Sequence, residues 1–300
     1  MLSLKYAEME GCFRHLSQRR VQSAALQLIA EAETGLILEM PTGSGKTDVG
    51  MAMLRAARAK GERGLFYVTP TKAQVAQIHQ WFPEGVIRLF GRNDHHCLYY
   101  NDKGKEVNAA ESPCHMLKCP HRVNQETGET AEPGVEPCSY LRDKHEALTG
   151  NRIILCTTAF FLMNRVMVGG WRERGPTCVV VDEAHNLARI TRGLFEYTIT
   201  DWHLNRAIKI LKTINPEQGK ILTRFKKSFS AMARIRAVNQ RTLLENENIS
   251  RLIEVLDDFD AGALSASIHQ ALDEGLIDPV EQRGELKLLE NLVRNIPRLL

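Results

Sequence analysis

Leu38-Glu39-Met40-Pro41-Thr42-Gly43-Ser44-Gly45-Lys46-Thr47 is the run that most constrains this chain. It sets a loop of small residues between a short apolar stretch and a segment of helical spacing. Such a loop exposes successive backbone N–H groups, and at the start of a helix it makes a cradle for phosphate. Side chains at positions 43 and 45 would block that approach. Lys46 is placed to reach the β- and γ-phosphates of ATP as a mobile cation, and the Thr47 hydroxyl to ligate Mg²⁺. Pro41, Thr42 and Ser44 complete the expected cradle. The strict glycine pattern asks for Gly where this chain has Met40, so the weight rests on Gly-Lys-Thr in its strand–loop–helix setting.

The surrounding residues alternate between the two periodicities. Val21 to Ala32 has helical spacing and leads into an apolar strand expected at Leu36–Leu38. A helix is expected over Asp48–Lys60, a strand over Leu65–Thr69 ending at Pro70, a helix over Lys72–Trp81 and a strand over Val86–Phe90. After an interruption the pattern resumes with a strand at Arg152–Thr157, a helix from Phe160 to Val168 and a strand at Cys178–Val181. Strands alternating with helices predict a parallel sheet covered on both faces. The last strand ends in Asp182-Glu183-Ala184-His185-Asn186, which puts two carboxylates at the edge where such sheets place their ligands. Asp182 is the expected Mg²⁺-side carboxylate. Glu183 is expected to orient and deprotonate an attacking water, and His185 to link the site by hydrogen bonding to a polynucleotide-binding side.

Between Gly91 and about Lys144 neither period is sustained, and Pro113, Pro120, Pro133 and Pro137 punctuate the run. Irregular stretches of this length need a function or a staple. Cys97, Cys114, Cys119 and Cys138 form C-x16-C-x4-C-x18-C within it. Four thiolates suit a [4Fe–4S] cluster; they also suit Zn²⁺, with His95, His96, His115 and His121 as competing ligands. Either metal would staple a segment too polar to fold on a core of its own. Cys156 and Cys178 fall in apolar strands as core residues, and Cys12 carries no signal. From Thr200 to Leu300 the spacing is mostly helical. Basic residues from Arg206 to Arg241 come first and acidic ones from Glu245 to Glu274 follow; the basic run is read as a solvated helical face before a passage for a single strand.

Bulk properties exclude some classes. The net charge of +3 is too small to argue for nucleic acid by itself, so any basic patch must be local. No run approaches the roughly 18 apolar residues of a membrane span. Met1–Arg20 mixes Glu8, Glu10, Arg14 and Arg19 with apolar positions and has no secretory apolar region. The expected compartment is the cytoplasm (nucleoid-associated in a bacterium, nuclear in a eukaryote), where seven cysteines do not suggest a disulfide framework.

The two motifs resemble motifs I and II of the superfamily 2 DEAH-box helicases related to XPD and DinG. Val68-Thr69-Pro70-Thr71 with Gln74 and Gln77 resembles motif Ia, which touches the backbone of the single strand. Gly91-Arg92-Asn93 before Cys97, and Cys138-Ser139-Tyr140 before the returning strand, resemble the two ends of that family's iron–sulphur insert. The likeness covers Arg19 to Asn186, and the helical tail by position. It implies a RecA-like P-loop NTPase lobe over 1–90 and 149–190, an iron–sulphur insert over 91–148, and a mainly α-helical Arch-like domain over 191–300. It favours [4Fe–4S] over zinc, although the family's close Cys-x2-Cys pair is replaced here by Cys114 and Cys119. It also gives Arg19 and Gln22 an adenine-side role, as an alternative to an ordinary polar helix face.

The function implied is an ATP-dependent DNA helicase, 5′ to 3′, acting on single-stranded or forked DNA, with DNA repair as its setting. In and beside the insert, Arg88, Arg92 and Lys118 would contact phosphates and Tyr99 and Tyr100 would stack on bases, or else cover the metal site. Nothing after Leu187 resembles motifs III to VI, so the second motor lobe and its arginine are expected elsewhere in a longer protein. The rival reading is a non-enzymatic, metal-stabilised nucleotide- or DNA-binding module acting with a partner.

Overall fold

The computed structural model describes residues 3–15, 17–167, 177–195, 200–234 and 246–298. The chain divides into two compact units: 1–94 with 121–196, and 95–120 with 197–300.

The first unit contains α1 (Tyr6–Glu10), α2 (Arg20–Glu31), α3 (Lys46–Ala59), β1 (Leu65–Thr69), α4 (Lys72–Trp81) and β2 (Val86–Leu89). After the second unit's short helix α5 (Leu98–Asn101), it resumes with α6 (Ser139–Thr149), β3 (Ile153–Thr157), α7 (Thr158–Leu162), β4 (Cys178–Val181) and α8 (Leu187–Phe195). The four strands form one parallel sheet in the order β2-β3-β1-β4. β1 lies between two neighbours and all five of its residues are buried, which is why Leu-Phe-Tyr-Val-Thr reads as a continuous apolar run. Alternation splits the strands between two cores. Leu65, Tyr67, Ile153 and Leu155 face α2, α3 and α4, whereas Phe66, Val68, Ile154 and Cys156 pack with Ala147 and Phe160.

Three expectations change. Leu36–Leu38 joins no ladder among the described residues and runs as irregular chain, with Leu36 45% and Ile37 94% exposed. An apolar run becomes a strand only when a neighbour takes up its N–H and C=O groups, and β4 ends the sheet on that side of β1. The helix expected from Phe160 is α7, continued by a π turn over Met163–Met167; Val168 lies outside the described residues. Helix α6 begins at Ser139, inside the stretch expected to lack regular structure.

The second unit holds α5, α9 (Asp201–Ile214), α10 (Pro216–Arg234), α11 (Asn246–Leu256), α12 (Ala261–Asp273) and α13 (Arg283–Asn295). Apolar faces at helical spacing meet in one core containing Leu204, Leu211, Leu222, Leu256, Ile268 and Leu289. Tyr100, Val107, Met116 and Leu117 are buried in that same core. The segment 95–120 thus has an apolar anchorage that its polar composition concealed. Tyr100 Oη donates to the Pro279 carbonyl at 2.8 Å, and the His115 N–H donates to Glu290 Oε1 at 3.2 Å. No described helix is long and apolar enough to cross a membrane.

Candidate nucleotide site

Gly43 and Gly45 both adopt left-handed conformations, at φ 75° and 86°. At Gly45 a Cβ would also collide with the amide nitrogen of Gln22. Glycine is therefore required twice over at that position, by backbone and by space. Gly45 is the N-cap of α3, so the loop empties into the positive end of a 14-residue helix. Arg19, the N-cap of α2, holds the loop with its side chain and its own helix with its backbone. Arg19 Nη1 donates to the Gly43 carbonyl, and the Arg19 N–H donates to Gln22 Oε1 at 2.8 Å. Gln22 is 4% exposed, and its Oε1 closes the capping box of α2. The Ser44 hydroxyl is buried without a hydrogen-bond partner. An orphaned donor inside a glycine cradle at a helix N-terminus fits a phosphate group, because burial of an unsatisfied hydroxyl is otherwise unfavourable.

The acidic pair lies against this loop. Lys46 Nζ stands 3.4 Å from Glu183 Oε1, with both side chains about one-third exposed at 34% and 33%. The Asp182 N–H donates to the Val68 carbonyl at 2.8 Å, carrying the β1–β4 register to the strand's end. Beyond it, Glu183 is the one non-glycine residue at positive φ among those described, at 51°. That conformation costs roughly 1–2 kcal/mol for an L-residue and turns the chain sharply out of the sheet. Its N–H donates to Asp182 Oδ1 at 3.0 Å. His185 Nδ1 lies 3.4 Å from Glu183 Oε2, and its other ring nitrogen lies 3.0 Å from Asn186 Nδ2. The geometry thus brings together the half-buried Lys46, Asp182 and Glu183, with the exposed His185 at their edge.

Burial, and then the Glu183 charge, raise the Asp182 carboxyl above its usual value of 3.8. The folded state therefore binds that proton more tightly than the unfolded chain. Well below 3.8 both states are protonated and nothing is lost. As pH rises through the unfolded and then the folded value, ionising Asp182 costs the fold stability. Asp182→Asn should accordingly raise the melting temperature at neutral pH by a few degrees, and the gain should shrink toward about pH 4. Thermal melts at the two pH values check this; no gain at neutral pH would contradict it.

Sequence reasoning missed Tyr67, which is 1% exposed and whose phenol is pushed up by burial and then by the Asp182 charge. A tyrosine within a strand buried on both faces was the available signal, since its polar tip must find a partner. Gln74 moves in the opposite direction. Its Oε1 accepts from the Thr71 N–H at 3.2 Å and closes the capping box of α4, which gives it a structural job beside the strand contact expected of it. Tyr100, expected to stack on bases or cover a metal, is fully buried; a ring without exposed face cannot take a base.

The cysteines divide between the units. Cys138 is the N-cap of α6 in the first. In the second, Cys97 is buried in the helical core that also holds Tyr100, and Cys114 Sγ lies 4.0 Å from the Ala109 carbonyl oxygen. Among the described residues no three His, Cys, Asp or Glu side chains are grouped so as to hold a metal ion. The donor chemistry suits iron–sulphur or zinc. Of the basic run, Arg206 pairs with Glu285 and Arg224 with Asp258, Lys220 with Glu217, and Lys226 with Asn205; Arg236 and Arg241 lie outside the described residues.

No curated protein matches the chain. A solved structure titled XPD helicase matches with a TM-score of 0.46 and 18% sequence identity, over 93% of this chain and 51% of that one. The chain thus spans about half the length of that structure. Residues 15–222 match the family described as Type III restriction enzyme, res subunit. They run from the residues beneath the glycine loop, through the acidic pair and into the helices, and the chain therefore belongs to this ResIII family of the helicase superfamily.

Proposed function

We propose that the chain is the first motor lobe, with a helical appendage, of an ATP-dependent DNA helicase of the XPD/DinG type. The observation that carries this reading is the 3.4 Å approach of Lys46 to Glu183. It sets the phosphate-loop cation and the acidic strand end at one point on the sheet. Backbone N–H groups of residues 43–47 and the Ser44 hydroxyl would hold the phosphates. Lys46 would leave Glu183 for the β- and γ-phosphates, and the freed carboxylate would orient the attacking water. Thr47 and Asp182 would hold Mg²⁺, which neutralises developing phosphate charge when bound. Such ions keep few protein ligands and complete their shell with phosphate and water. A second motor lobe would contribute an arginine and convert hydrolysis into 5′ to 3′ movement along single-stranded DNA. Direct titration of the chain with a fluorescent ATP analogue tests the reading: Mg²⁺-dependent binding that is lost in Lys46→Ala supports it, and its absence removes it.

The sequence pattern also motivates a [4Fe–4S] cluster on Cys97, Cys114, Cys119 and Cys138. Among the described residues no three such ligands are grouped, and binding of a structural metal is commonly coupled to folding. Anaerobic purification should yield a brown protein containing iron and acid-labile sulphide. Zinc, or no metal, would remove the cluster from the reading without touching the nucleotide site.

A further inference from the structure

Asp48 is the third residue of α3, whose N-cap is Gly45. Its Oδ2 lies 3.3 Å from where a Cβ on Gly45 would stand. The side chain is 11% exposed, and Oδ1 is buried without a hydrogen bond. An acid in the first turn suits a helix, because it meets the positive end of the dipole. Here that same end is the one the glycine loop offers to phosphate. The carboxylate therefore stands beside the place where a polyanion is to bind, and partial burial strengthens the repulsion between them.

Arg14 supplies the opposing charge. Its Nε lies 3.3 Å from Asp48 Oδ1 and donates its proton to His15 Nε2 at 3.2 Å, so the contact with Asp48 is one of charge. The guanidinium is held over two rings, with Cζ 5.3 Å from the centroid of Trp81 and 5.1 Å from that of Phe82. Such stacking fixes a cation in place without neutralising it. We propose that Arg14 is a positioning residue of the nucleotide site: it offsets the Asp48 charge beside the glycine loop, and so leaves the loop's N–H groups and Lys46 free to attract phosphate. Its action runs through Asp48 and not through contact with the ligand. The inference rests on reading this loop as an ATP site.

Arg14→Met removes the charge and keeps an unbranched side chain that packs well against rings; Arg14→Lys keeps the charge. The experiment titrates the 300-residue chain and its variants with mant-ATP and Mg²⁺. The unmasked carboxylate should weaken binding by about 10-fold in Arg14→Met, whereas Arg14→Lys should stay near the parent. Asp48→Asn should bind more tightly than the parent, and combining it with Arg14→Met should restore the parent's affinity. Unchanged affinity in Arg14→Met overturns the inference, and so does a double variant as weak as Arg14→Met. A merely structural ion pair would lose affinity from either side, so weaker binding in Asp48→Asn overturns it too. Lys46→Ala separates this inference from the reading beneath it. If that variant binds like the parent, or the parent itself does not bind, the nucleotide site is wrong and the role of Arg14 falls with it. If Lys46→Ala loses binding while Arg14→Met matches the parent, only the role of Arg14 is wrong.

Discussion

Replacing Lys46 by alanine will weaken ATP binding by about 10- to 100-fold and leave the fold intact, because a hydrogen bond to a charged partner contributes about 1.5–3 kcal/mol. Lys46 is the first residue of α3, directly after the left-handed Gly45. Its ammonium group meets Glu183 at 3.4 Å. A pair this exposed contributes roughly 0.2–1 kcal/mol to stability, so thermal melts of the variant should stay close to the parent. The separation of the two readouts is the point of the test. A large loss of affinity with an unchanged melt assigns the lysine to the ligand; a matched loss of both assigns it to the fold. Calorimetric titration with ATP and Mg²⁺ measures the first and circular dichroism the second.

Much of the first unit was legible because its signals are local. Leu65–Thr69 and Lys72–Trp81 match the expected bounds residue for residue. The strand is a β-favouring run closed by Pro70, and the helix carries its own start signal in Thr71 and Gln74. Leu36–Leu38 shows where local reading stops. Its composition is that of a strand, but pairing is supplied by a neighbour, and the sequence of one strand does not say whether that neighbour is there. The irregular segment failed for a different reason. Tyr100, Val107, Met116 and Leu117 reach the helical core at gaps of 7, 9 and 1 residues, which sustain neither the helical nor the strand period, so periodicity did not reveal their burial. The motifs themselves were legible because each is contiguous. The packing of Gln22 against Gly45 and of Tyr67 against Gly50 joins separate elements, and only the fold brings those residues together.

Replacing Glu183 by glutamine should slow ATP hydrolysis in the full-length protein by about 10²- to 10⁴-fold, the range for loss of a positioned general base. The same change should not weaken binding. Without nucleotide, Glu183 occupies Lys46, and a phosphate must compete for that ammonium. Glutamine gives up the charge, and with it an interaction of roughly 0.2–1 kcal/mol. Affinity for ATP should therefore stay level or tighten, by up to about fivefold at the upper end of that range. Glutamine also keeps the backbone question out of the comparison. Residue 183 sits at φ 51°, and Glu and Gln bear that left-handed conformation at similar cost, whereas Gly would relieve it and change two things at once. Opposite movement of turnover and affinity is what a carboxylate shared between lysine and water requires. If Glu183→Gln loses affinity as steeply as turnover, the carboxylate is holding the site together, and the task of orienting the water belongs to another group.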